Sequence, residues 1–230
     1  DFVLNALGCR AERVHVVLNG VPAARVPRRP EVVGHPLRLL FLGNLSDRKG
    51  VTDLLCALTL MQSPATQWHL TVAGGGDLEG YRQKARGMGL AEAVTFYGWA
   101  RQDQTAELLA AADVLVLPSY VEGLPLVILE ALANGVAVVC TPVGEIPTTL
   151  SDGRDALFVP PGNPPQLAAA LDRLVAEPAL RLQLEAQGLA FYQRGFSIEA
   201  FFNAVAAVHQ RLFGCAARFD PDGRAGGHGA

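Results

Sequence analysis

The chain has 230 residues, half of them hydrophobic, which is enough for one large domain or two small ones with a substantial core. Its formal charge is −3, and its 19 lysines and arginines are spread along the sequence, which argues against a nucleic-acid-binding surface. The small cluster Arg25, Arg28 and Arg29 is expected to be a solvated loop. Apolar runs such as residues 114–117 and 124–129 are far too short to span a bilayer. The first five residues do not read as a secretion signal. Cys9, Cys56, Cys140 and Cys215 lack the paired spacing of a zinc site or a disulfide framework. A reducing cytoplasm is the expected location, with any peripheral membrane attachment supplied by other parts of the protein.

In chain order, an apolar strand at 38–42 leads to a helix at 51–61, and a strand at 68–73 to a helix at 78–88. A strand at 93–97 then precedes a helix at 102–111, and a strand at 113–117 precedes a helix at 124–133. Strands at 136–140 and 156–159 and helices at 165–176, 179–193 and 198–212 follow. This alternation predicts an α/β fold, a Rossmann-like parallel sheet flanked by helices. Asp77 and Ser197 stand where helix N-caps belong. Beyond Gly214 the tail loses apolar periodicity and gains Gly, Asp and Pro, so residues 214–230 are expected to be disordered.

Residues 118–130 carry the most information, because a strand there runs into a loop and then a helix, the place where open α/β sheets bind ligands. Glu122 and Gly123 are expected at the helix start with Pro125 in its first turn, so that the free amides there face an incoming anion. Glu130 lies among apolar neighbours that leave it no polar face. Either it makes a local ion pair on the helix surface or it accepts hydrogen bonds from a polar ligand. Eight residues of helix rise about 12 Å, whereas the two carboxylates of a glycosidase stand roughly 5 to 9.5 Å apart. Glu122 and Glu130 therefore suit two anchors along an extended ligand.

The loop from Gly43 through Asn44 to Gly50 joins the first strand to its helix and carries Lys49 at a helix N-terminus, where a cation opposes the macrodipole. A bound diphosphate would reverse that penalty; a solvated loop lysine is the alternative. Gly74, Gly75 and Gly76 follow the second strand as either a tight turn or a close approach of backbone to ligand, without dinucleotide-fingerprint spacing. Trp99 follows the third strand and either stacks on a base or packs in the core. His69 reads as a packed strand residue, and the Asp220–Asp222 pair, which mimics a metal motif, falls in the tail.

These segments resemble the carboxyl-terminal domain of glycosyltransferase family 4, retaining enzymes with the GT-B fold. Glu122 and Glu130 match the two glutamates of the family motif, with Gly123 in its customary place. Support comes from Asn19 and Gly20, from Gly43 through Lys49 and Gly50, and from Tyr97 and Gly98. Pro142 to Gly144, Asp152 and Gly153, and Pro161 and Gly162 follow in the family's order. The resemblance implies that Glu122 contacts the transferred sugar, Glu130 holds the ribose, and Lys49 binds the donor diphosphate. It implies donor contacts from the Gly123 and Leu124 amides. Gly43, Asn44, Gly75 and Trp99 complete the expected donor site. Asn44 stands where many members carry arginine, so diphosphate binding would rest on Lys49 and the helix amides, with Arg48 a candidate substitute.

The resemblance further implies transfer of a hexose from a UDP- or GDP-linked donor to an acceptor sugar, lipid or small molecule, with no metal or other cofactor. Residues 1–20 would enter from a missing amino-terminal domain, or a partner chain, that binds the acceptor and supplies the acceptor-activating group. Residues 21–196 would form the nucleotide-sugar-binding domain. Residues 197–213 would form a helix that crosses back to the missing domain, with apolar residues such as Phe201, Phe202 and Val205 able to drive self-association. Two rival expectations are a donor-binding module or split-transferase subunit without activity of its own, and a GT-B sugar-nucleotide epimerase.

Overall fold

The structure, a computed structural model, describes residues 8, 10–28 and 35–214. Six parallel strands form one sheet: β1 Leu37–Leu42, β2 Trp68–Ala73, β3 Val94–Gly98, β4 Val114–Leu117, β5 Ala137–Cys140 and β6 Leu157–Phe158. Their order is β3-β2-β1-β4-β5-β6. Every residue of β4 and β5 is buried, as expected of central parallel strands covered on both faces. The helices are α1 Val51–Leu60, α2 Leu78–Gly87, α3 Gln102–Ala111, α4 Leu126–Ala133, α5 Ile146–Thr149, α6 Pro164–Ala176, α7 Pro178–Gly195 and α8 Ile198–Phe213. Among them α1 packs against α6, and α4 against α7.

This is the expected α/β architecture, with three local differences. Helix α4 begins at Leu126, so Glu122 and Gly123 lie in the preceding loop and Pro125 is the N-cap, with φ −67 and ψ 126. Leu124 precedes a proline, which biases it away from the helical region. The expected helical rise between Glu122 and Glu130 therefore applies only from Leu126 onward. The four-residue α5 was too short to leave a periodic signal. The predicted N-caps are present: Asp77 accepts from the amide of Gly80 and Ser197 from that of Ala200.

The third difference is Arg28, expected in a solvated loop. It donates to both carboxylate oxygens of Glu185 on α7 at 2.6 Å and lies 3.7 Å from Asp113. Arg25 is exposed, and Arg29 lies outside the described residues. Asp113, just before β4, also accepts from the backbone amide and guanidinium of Arg38 on β1. Sequence reading missed the cluster because its members lie up to 157 positions apart. It joins the entering segment, α7 and the amino ends of β1 and β4.

Residues around Val21 enter at the α7–α8 junction, where the Val21 amide donates to Phe196 and the Tyr192 hydroxyl donates to the Val21 carbonyl. Helix α8 touches α7 but buries none of its own residues, and Val205, Leu212 and Phe213 are exposed. The tail expected to be disordered, from residue 215, lies outside the described residues, as do Asp220 and Asp222. Among the described residues no helix is long and apolar enough to cross a membrane.

Burial works to raise the carboxyl of Asp113, but the hydrogen bonds and charge of Arg38 hold it below the ordinary aspartate range. A depressed folded-state pKa contributes stability that is present above the unfolded pKa and lost as pH falls through the folded one. Asp113→Asn is therefore expected to cost about 2–3 kcal/mol at neutral pH, measured by denaturant titration, and to flatten the acid limb of the stability curve. An unchanged midpoint would contradict this account of the cluster.

Candidate functional site

Strands β1, β2 and β3 wind one way from the centre of the sheet and β4, β5 and β6 the other. Right-handed crossovers in opposite directions send α1 and α4 to opposite faces, and a crevice opens between the loops after β1 and β4. The loops after β1, β2 and β3 are stitched by backbone hydrogen bonds, Gly43 to Ala73, Leu45 to Gly75 and Gly74 to Gly98. The loop after β4 joins them where the Tyr120 amide donates to the Arg48 carbonyl at 2.9 Å.

Lys49 ends a single 3₁₀ turn, Asp47–Lys49, immediately before Gly50, the N-cap of α1. Gly50 has φ 70, and a Cβ there would collide with the carbonyl of Pro118. Only glycine lets the two loops approach this closely in that conformation. The loop is braced by Asp47, which accepts from Thr52 and from the Tyr81 hydroxyl. On the other side the Tyr120 hydroxyl donates to Asp53 at 2.7 Å.

Across the crevice, the Lys49 ammonium donates to Glu122 Oε1 at 2.6 Å. The Lys49 side chain is 21% exposed and that of Glu122 is 8% exposed. Lys49 is thus not a solvated loop lysine, and a carboxylate stands where the sequence suggested that an anion belongs. The Glu122 backbone is fixed by Gly144, where a Cβ would strike the Glu122 carbonyl, and by the Glu145 amide donating to Gly123. Among the described residues the amides of Gly123 and Leu124 have no hydrogen-bond partner. Gly123 is exposed, while Leu124 leans on the core.

A pocket of about 360 Å³ is lined by Gly43, Asn44, Gly74, Gly75, Trp99 and Glu130, together with Leu42, Ala100, Gln102, Thr105 and Val127, and not by Lys49, Glu122, Gly123 or Leu124. Its size falls in the range of small-molecule sites. Trp99 is 78% exposed, which rules out core packing and leaves its ring over Gly75 at the rim. Glu130 is half-buried and its carboxylate forms no hydrogen bond or ion pair among the described residues, so the local ion pair is excluded. Gln102 and Thr105, three apart in the first turn of α3, are polar lining residues that sequence reading missed; helical spacing behind Trp99 was the available signal.

Other groups are structural. Cys140 is fully buried, its thiol pushed up to about 12 by burial, so it is no nucleophile. His69 shares a hydrogen bond with Thr95 at 2.9 Å. Among the described residues no group of three or more His, Cys, Asp or Glu could hold a metal ion.

The sheet order, the crevice at its reversal and the pocket at its carboxyl edge define an α/β domain of the doubly wound class. The chain belongs to the group 1 glycosyl transferases, whose family model matches residues 36–177. It is 32% identical over 183 residues to a glycogen synthase of Mycobacterium tuberculosis, covering 78% of this chain and 44% of that protein. The structure resembles the C-terminal domain of a glycosyl transferase group 1 family protein from Francisella tularensis, with a TM-score of 0.65 and 26% identity over 71% of this chain and 89% of that one. It shares the fold of Anabaena HepE, solved with UDP-glucose, at a TM-score of 0.78 and 21% identity over 90% of this chain and 60% of that one. The chain spans about half the length of the curated relatives it matches.

Burial without a partner pushes the Glu130 carboxyl up from its ordinary value. A raised folded-state pKa contributes stability that is complete below the unfolded pKa and is lost as pH rises through the folded one. Glu130→Gln is expected to remove that loss, so thermal melts of the ligand-free variant should fall less than wild type as pH rises from just below to well above the ordinary glutamate range. Parallel curves would show that Glu130 is solvated and not poised for a ligand.

Proposed function

We propose that this chain is the donor-binding half of a retaining, metal-independent hexosyltransferase of glycosyltransferase family 4. In this reading a hexose passes from a nucleoside diphosphate sugar to an acceptor hydroxyl. The observation that carries the reading is the unpartnered, half-buried Glu130 carboxylate in its pocket, on the helix whose preceding loop holds Glu122 in its pair with Lys49. A buried carboxylate without a donor is costly, and ribose hydroxyls are donors of suitable chemistry. The base rests on Trp99 and the first turn of α3. The diphosphate lies over the loops of Gly43, Asn44 and Gly75 towards Lys49, and the sugar reaches Glu122 and the free amides of Gly123 and Leu124.

The chemical demand is to accept charge on the departing diphosphate as its bond to the sugar breaks and the acceptor oxygen bonds to the same face. Lys49, once it exchanges Glu122 for the diphosphate, and the amino end of α1 meet that demand, which suits catalysis without a metal. Asn44 cannot offer a charged fork to phosphate, so the burden falls on Lys49. The acceptor-activating group lies on a second, amino-terminal domain or partner chain, in keeping with a chain half as long as its relatives. Activity is expected in the cytoplasm, and the isolated chain binds donor without turnover.

Calorimetric titration with UDP, GDP and their hexose conjugates tests the assignment. Lys49→Ala is expected to weaken nucleoside diphosphate binding about tenfold or more and nucleoside binding little, the loss of one charge-assisted hydrogen bond. Glu130→Ala is expected to weaken every ribose-bearing ligand. Equal affinities across wild type and both variants would overturn the site.

A further inference from the structure

Lys49 and Glu122 come from loops 73 residues apart, and their 2.6 Å contact is the one ion pair that each makes among the described residues. The Glu122 side chain is nearly withdrawn from water, and its backbone cannot swing outward freely. Gly144 backs its carbonyl, and the neighbouring Tyr120 is tied to Asp53 and to the Arg48 carbonyl. An anion that draws Lys49 away therefore leaves a desolvated carboxylate unpaired beside a second anion. Stranding one partner of such a pair costs much more than an exposed pair is worth.

A ligand that also brings hydroxyl groups to Glu122 removes that cost, because the carboxylate exchanges an ammonium donor for hydroxyl donors. We propose that the Lys49–Glu122 ion pair is an exchange gate that selects nucleoside diphosphates carrying a hydroxyl-rich sugar over bare nucleoside diphosphates. This rests on the donor reading of the site. The gate also has a direction. Once the sugar has left, Glu122 loses its hydroxyl partners, competes with the diphosphate for Lys49 and favours release of the spent nucleotide.

The consequence is a change of opposite sign for two ligands that share a nucleotide. Glu122→Gln removes both the competitor for Lys49 and the repulsion of the diphosphate. It is therefore expected to bind UDP about tenfold more tightly than wild type, while binding UDP-glucose less tightly. Titrations of the full chain with UDP, UDP-glucose, GDP and GDP-mannose, wild type against variant, read both effects, and a cooperative thermal melt verifies that the variant is folded. If Glu122→Gln does not fold, Glu122→Asp takes its place. Its shorter side chain retracts from Lys49, and a smaller gain in affinity for the bare diphosphate is expected.

Tighter diphosphate binding together with weaker sugar-nucleotide binding supports the gate. Wild-type binding with unchanged or weakened diphosphate affinity in the folded variant overturns the gate and leaves the donor site standing. A folded wild type that binds none of the four ligands overturns the donor site and the gate together.

Discussion

Strands β1 and β4 are hydrogen-bonded neighbours in the sheet although three strand–helix crossovers separate them in sequence, and their following helices leave in opposite senses. That reversal cannot be closed over by either helix layer. It leaves two loops facing each other across a crevice, and the Lys49–Glu122 pair spans that gap. At the opposite end of the same two strands, Arg38 and Asp113 join β1 to the approach to β4, while Arg28 and Glu185 tie in the entering segment and α7. The charged cluster and the crevice are thus the two ends of one strand pair.

At the open end, glycine and hydrogen bonding convert loops into a rigid frame. Gly50 permits contact with Pro118, Tyr120 reaches the Arg48 carbonyl and Asp53, and Gly144 supports Glu122 from behind. The chemistry then depends on two carboxylates in different settings. Glu122 is buried against a cation, whereas Glu130 is half-buried with none and its carboxyl is pushed up. One asks for a ligand that can replace an ammonium, the other for a ligand that brings donors to an empty acceptor. A polyhydroxylated ligand linked through an anionic centre satisfies both at once.

Much of this was legible in the sequence because it is local. The apolar runs that became β2, β4 and β5 read directly, α3 matched the helix expected at 102–111, and the caps at Asp77 and Ser197 followed from residue type. The resemblance implied that Gly43, Asn44, Gly75, Trp99 and Glu130 belong to one site, and the carboxyl edge of the parallel sheet brings them around one pocket. What was not legible is what distance in the chain conceals. The start of α4 depended on the proline bias on Leu124 and on support from residues 144–145. The partners of Arg28 lie on α7 and before β4, and the pairing of Lys49 with Glu122 appears only when β1 and β4 are side by side.

The central claim is that one extended donor lies along this crevice from Trp99 to Glu122. A crystal structure of the chain grown with the nucleotide sugar that it binds tests this most directly. The account predicts the base against Trp99, the ribose hydroxyls on Glu130, the diphosphate at Lys49 and the hexose at Glu122, with the Lys49–Glu122 contact opened. A nucleotide bound elsewhere, or bound in the crevice with Glu130 facing no ligand atom, would contradict it.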